Sequence, residues 1–128
     1  NETVLIVEDD EMLLEIQVMT LEEYGYRVLS ATTIDVAEGL AREYGGQIDL
    51  LLTDVIMPRV NGKELAEKLR VFCPKMKVIY MSGYTADIIA DNGVICTNTN
   101  FIQKPFGVKA LASKVHGALD IKKFQDKD

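Results

Sequence analysis

Hydrophobic and polar residues along the chain switch repeatedly between two periods. TVLIV, residues 3–7, is apolar at every position but the first, as expected of a strand buried on both faces. After the acidic run from Glu8 to Glu11, Leu14, Val18 and Leu21 fall at i, i+4 and i+7, which predicts a helix that Gly25 stops. RVLSA, residues 27–31, is a weaker strand, expected nearer a sheet edge. Ala37, Leu40, Ala41 and Tyr44 then share one helical face, closed by Gly45 and Gly46. IDLLLTD, residues 48–54, predicts the third strand. Beyond a loop containing Pro58, Asn61 and Glu64 have the spacing of a capping box, and Leu65, Leu69 and Phe72 form the stripe of the helix it opens. KVIYMS, residues 77–82, is a fourth strand, followed by a short helical segment near 85–91 and the polar stretch NGVICTNTN, whose spacing predicts no element. FIQK, residues 101–104, is a fifth strand, and Val108, Leu111, Val115 and Leu119 mark a last amphipathic helix.

Strict alternation of strand and helix calls for parallel strands joined by right-handed crossovers. The most apolar strands, the first, third and fourth, belong in the middle, with helices on both faces. The predicted fold is α/β: a doubly wound five-stranded parallel sheet in the flavodoxin-like order 2-1-3-4-5.

Ligands of open α/β sheets bind beyond the carboxyl ends of the strands, at the switch point where the strand order reverses, here between strands one and three. The first strand ends in Glu8, Asp9 and Asp10, the third in Asp54, the fourth in Ser82 and Gly83, and the fifth in Lys104 and Pro105. Glu8 or Asp9 beside Asp54 brings like charges together, which either raises one pKa or calls for a cation. Oxygen ligands without His or Cys suit Mg2+, which takes one or two carboxylates together with a phosphate oxygen. Lys104 can neutralise a phosphoryl oxygen as a point charge, the Ser82 hydroxyl can donate to another, and Asp54 is the candidate nucleophile. Asp10 can serve as the cap of the following helix or as a further metal ligand. Each residue alone is an ordinary loop or cap position; their convergence on four strand ends carries the expectation of phosphoryl chemistry.

Composition narrows this picture. At 128 residues and 48% hydrophobic, the chain is the size of a single domain, residues 1–128, able to bury its own core. Its start at Asn1, almost directly on a strand, reads as a module cut from a longer protein. The net charge of −6, with lysines scattered apart from Lys122 and Lys123, argues against direct nucleic-acid binding. No apolar run approaches the roughly 20 residues of a membrane span, so a soluble, cytoplasmic domain without membrane insertion is expected. Cys73 and Cys96 lack metal-ligand or redox spacing and read as free thiols.

VLIVEDDE, LLTDVIMPRVNG, VIYMSGYT and FIQKPF, in that order and spacing, strongly resemble the receiver domain of two-component response regulators, and the resemblance covers essentially the whole chain. It implies that Asp54 accepts a phosphoryl group from a phosphohistidine on a histidine kinase or a histidine phosphotransfer domain. It implies that Asp9 and Asp54 ligate Mg2+ directly, that Glu8 assists through water, and that the backbone carbonyl of Ile56 is a third protein ligand. Ser82 and Phe101 then form a switch pair, the output is a population shift of the surface built by helix four, strand five and helix five, and Lys104–Pro105 is a cis bond. MSGYT and FIQKPF look most like receivers of hybrid sensor histidine kinases, a resemblance that implies tethering to a membrane-bound sensor as one arrangement. Ile56 and Tyr84, each two residues past an active-site residue, carry no acid or amide to orient water, which predicts slow loss of the phosphoryl group. His116, on the last helix, is expected to be a surface residue.

The alternative from another class is a small Mg2+-dependent aspartate-nucleophile phosphatase of the haloacid dehalogenase type. That class needs a second acid two residues past the nucleophile, where this chain has Ile56, and a cap insertion for which it has no room. A nucleotide-binding module would need a glycine-rich loop after the first strand, which is missing. A degenerate receiver used only for docking would not need Asp9, Asp54, Ser82 and Lys104 together.

Overall fold

A computed structural model describes residues 2–56, 60–83 and 101–126, with side chains to residue 119. The strands are β1 (Thr3–Val7), β2 (Arg27–Ala31), β3 (Leu50–Asp54), β4 (Lys77–Ser82) and β5 (Phe101–Gln103), all paired in parallel in the order β2-β1-β3-β4-β5. The weak second strand lies at an edge, as expected. Helices α1 (Glu11–Glu23), α2 (Ile34–Tyr44) and α3 (Gly62–Leu69) follow the first three strands, and a last helix spans Val108–Asp126. The helical segment expected near 85–91, the stretch that follows it, Pro58, Tyr84 and Cys96 lie outside the described residues.

Because neighbouring residues of a strand point to opposite faces, the apolar strands fill two cores at once. Leu5, Val7, Leu51, Val55, Val78 and Tyr80 face α2 and α3, against Ala37, Ala41, Leu65 and Leu69. Val4, Ile6, Leu50, Leu52, Ile79 and Met81 face α1 and the last helix, against Leu14, Leu21, Leu111 and Val115.

The helix ends follow their sequence signals. Asp10 caps α1 by accepting from the N–H groups of Met12 and Leu13, and Thr33 caps α2 through Val36 N–H. Gly25, at φ +91°, turns the chain out of α1 while its N–H and that of Tyr26 close on Glu22 and Leu21. Asn61 and Glu64 form the full capping box of α3. That helix ends at Leu69, so Phe72, expected on its stripe, packs from the following turn instead. The third strand begins at Leu50 rather than at Ile48, because the chain leaves α2 through a single 3-10 turn, Gly45–Gln47.

One close approach ties the end of β3 to the start of α3. Gly62 N–H donates to the Val55 carbonyl at 2.6 Å, and a Cβ on Gly62 would collide with the Asp54 carbonyl oxygen. Glycine is required there by the Asp54 backbone itself.

Candidate functional site

The crossovers from β1 to β2 and from β3 to β4 run in opposite directions, which opens the carboxyl edge between β1 and β3. Two backbone bonds steady this edge: Val55 N–H donates to the Met81 carbonyl at 2.9 Å, and Lys104 N–H to the Ser82 carbonyl at 2.7 Å. The Lys104–Pro105 bond is cis.

Glu8 is almost fully buried, at 1% exposed, directly past β1; Asp54 is buried at 6%, at the tip of β3; Asp9 is exposed between them. These three carboxylates each offer an oxygen within 4.8 Å of the others. Lys104 Nζ reaches across from β5 to lie 2.7 Å from both Glu8 Oε1 and Asp54 Oδ1. Asp9, Asp54, Ile56, Met81, Ser82, Gly83 and Lys104 line an open cleft of about 180 Å³.

Burial pushes the Asp54 carboxyl up to about 7, and the neighbouring Glu8 adds to the rise while Lys104 opposes it. Burial acts against the Glu8 carboxylate too, yet its hydrogen bond to Asp54 and its ion pair with Lys104 hold it below its usual value. Burial likewise disfavours the Lys104 ammonium, but the two carboxylates outweigh it and raise its pKa. Two buried acids thus share one lysine.

The sequence places Asp10 at this edge as well, but its carboxylate serves the α1 N-terminus, with Oδ1 3.0 Å from Met12 N and 3.1 Å from Leu13 N. Ser82 is buried at the cleft wall, and Ile56 stands 58% exposed at its mouth. Phe101, half-buried on β5 beside Tyr80, packs against the core on the α2 and α3 side. His116 is exposed on the last helix, and Cys73 is a buried free thiol.

Sequence reasoning passed over Gln17. It lies on the inner face of α1, 3% exposed, and its Nε2 donates to Glu8 Oε1 at 3.2 Å. The signal was present: a polar residue three positions after Leu14 and four before Leu21, both of which face the core.

The donor chemistry fits a hard divalent ion. Three carboxylates against one ammonium leave the cluster anionic, its donors are all oxygens, and Asp9 keeps it open to solvent.

The sequence profile of the response regulator receiver domain matches residues 4–116, and the chain belongs to that family. The sensor kinase CckA of Brucella abortus (strain 2308) is 36% identical over 118 residues, covering 92% of this chain and 12% of the kinase. The response regulator receiver protein CpdR of the same organism is 29% identical over 117 residues, 91% of this chain and 95% of that protein. The crystal structure of the receiver domain from the hybrid histidine kinase CckA superposes with a TM-score of 0.77 at 34% identity, covering 91% of this chain and 98% of that one. A CheY-like receiver from Methanospirillum hungatei JF-1 gives 0.76 at 31% identity over 97% and 98% of the two chains. The family places the chain in two-component signalling; among the described residues no helix is long and apolar enough to cross a membrane.

Proposed function

We propose that this receiver takes a phosphoryl group from a phosphohistidine, on a histidine kinase or a histidine phosphotransfer domain, onto Asp54. One observation carries the proposal: Asp54 and Lys104 stand 2.7 Å apart at a cleft that Asp9 also lines, with the buried Glu8 carboxylate beside them.

An Asp54 carboxylate oxygen bonds to phosphorus while the bond from phosphorus to the imidazole nitrogen breaks, and the imidazole departs with the electron pair. Mg2+, held by Asp9, Asp54 and the Ile56 carbonyl with Glu8 assisting, would supply positive charge against the phosphoryl oxygens. Lys104 exchanges its contact with Asp54 for a phosphoryl oxygen, and the Ser82 hydroxyl donates to another. Movement of Ser82 draws Phe101 inward, which biases the face that β5 and the last helix help to build. The domain turns over no external substrate beyond its own phosphorylation and dephosphorylation.

The likeness to the receiver of a hybrid kinase supports a kinase as partner, and with it a cytoplasmic location, free or tethered through a membrane-bound sensor. Scattered lysines and an acidic surface favour a protein partner over direct contact with nucleic acid. Incubation with Mg2+ and acetyl phosphate should add the mass of one phosphoryl group to the wild type and none to Asp54→Asn; equal uptake by both would remove Asp54 from this role.

A further inference from the structure

Glu8 Oε1 has two donors of different kinds. Lys104 Nζ approaches it at 2.7 Å and Gln17 Nε2 at 3.2 Å, while the Asp10 N–H takes Oε2 at 3.3 Å. The Gln17 amide also lies 3.6 Å from Met81 Sδ, one residue before Ser82, so a single buried side chain of α1 touches the ends of two strands of the site. Its orientation is fixed by chemistry, since only the NH2 end can face a carboxylate. The other end, Gln17 Oε1, is buried without a hydrogen-bond partner among the described residues. An apolar residue there would bring no polar atoms into the core.

The proposed function demands that Lys104 leave the carboxylates for a phosphoryl oxygen. Glu8, 1% exposed, would then keep the Gln17 amide on Oε1. A neutral donor suits this place: it holds the carboxylate without adding a charge that would repel a cation, and it stays when the lysine goes. We propose that Gln17 is a positioning residue of this site, which anchors the Glu8 carboxylate toward the cation and frees Lys104 to move. The inference rests on the receiver function proposed for Asp54.

The test compares the metal-free wild type and Gln17→Leu in thermal melting and in Mg2+ titration by calorimetry. Gln17→Leu is expected to melt cooperatively, as a folded protein, yet to bind Mg2+ about tenfold more weakly, the worth of one hydrogen bond to a charged group. Beryllofluoride uptake should require correspondingly more Mg2+. A Mg2+ affinity within about twofold of the wild type would mean that Gln17 only fills the core, and would overturn the inference. The wild type alone gives an independent reading through NMR of the Gln17 side-chain NH2, which should shift on addition of Mg2+; an unmoved resonance overturns the inference even where the Leu variant does not fold. Failure of the wild type itself to bind Mg2+ or beryllofluoride would sink the receiver function, and this inference with it.

Discussion

The bodies of the central strands and their carboxyl ends are buried almost equally and do opposite things. Leu5, Leu51 and Ile79 are 0% exposed, and Glu8, Asp54 and Ser82, a few residues further along the same or the following turn, are 1%, 6% and 6% exposed. In the bodies, burial removes apolar surface from water and stabilises the fold. At the ends the same burial strips water from two carboxylates and leaves them to share one lysine. The body of the sheet thus holds in place an edge that would be more stable with less charge.

The largest effect should come from damage to the body. Leu51→Ala, in the middle of β3 with both neighbouring strands paired to it, is expected to cost ~2–5 kcal/mol in a urea titration, since the cavity cannot easily collapse. Variant that still folds should accept the phosphoryl group as the wild type does. Gly62→Ala comes next: its new Cβ meets the Asp54 carbonyl, so a loss of ~1–3 kcal/mol should be joined by slower phosphorylation, because the backbone that must yield carries Asp54.

Neutralising the edge should have the opposite sign. Asp54→Asn is expected to raise the stability of the metal-free protein by ~1 kcal/mol or more while abolishing the extra stability that Mg2+ confers on the wild type. The pH dependence follows from the same charge. With its pKa raised from 3.8 to about 7 on folding, Asp54 binds its proton more tightly in the folded state, so its contribution is complete in acid and is lost as the pH climbs to about 7. Glu8, whose pKa is lowered from 4.5, contributes stability above that pH and does not offset the loss between pH 5 and 7. Metal-free wild type should therefore denature at lower urea at pH 7 than at pH 5, and Asp54→Asn should flatten the difference. The smallest effect belongs to the surface pair Lys68 and Glu38, 3.8 Å apart, where Lys68→Ala should change stability by no more than ~0.5 kcal/mol.

Much of this was legible in the sequence, and the reasons differ by element. β1, β3 and β4 announce themselves as apolar runs, and Asn61 with Glu64 states the start of α3 outright. The order of the strands follows from alternation and handedness, and the convergence of Glu8, Asp9, Asp54, Ser82 and Lys104 follows from that order. Side-chain ownership was not legible. Asp9 and Asp10 look alike in the sequence, and only the helix geometry gives Asp10 to the N-terminus of α1. Lys104 was expected to meet a phosphoryl group; that it bridges Glu8 and Asp54 depends on distances across the sheet. Gln17 was hidden among apolar neighbours because a three-residue spacing and a four-residue spacing both describe one face of a helix, and the stripe through Val18 is complete without it.

Ile56 extends the comparison into time. Exposed at the mouth of the cleft, it offers an attacking water neither acid nor amide, so phosphate release from the phosphorylated protein should run well beyond seconds, and loss within seconds would count against it.

The most direct measurement traps the modified residue itself. The protein is phosphorylated with acetyl phosphate and Mg2+, reduced with borohydride, which converts an aspartyl phosphate to homoserine, and digested for peptide mass spectrometry. Homoserine at position 54 and at no other acidic position is the predicted result; an unreduced Asp54 with the reduced side chain at Glu8, Asp9 or another residue would contradict it.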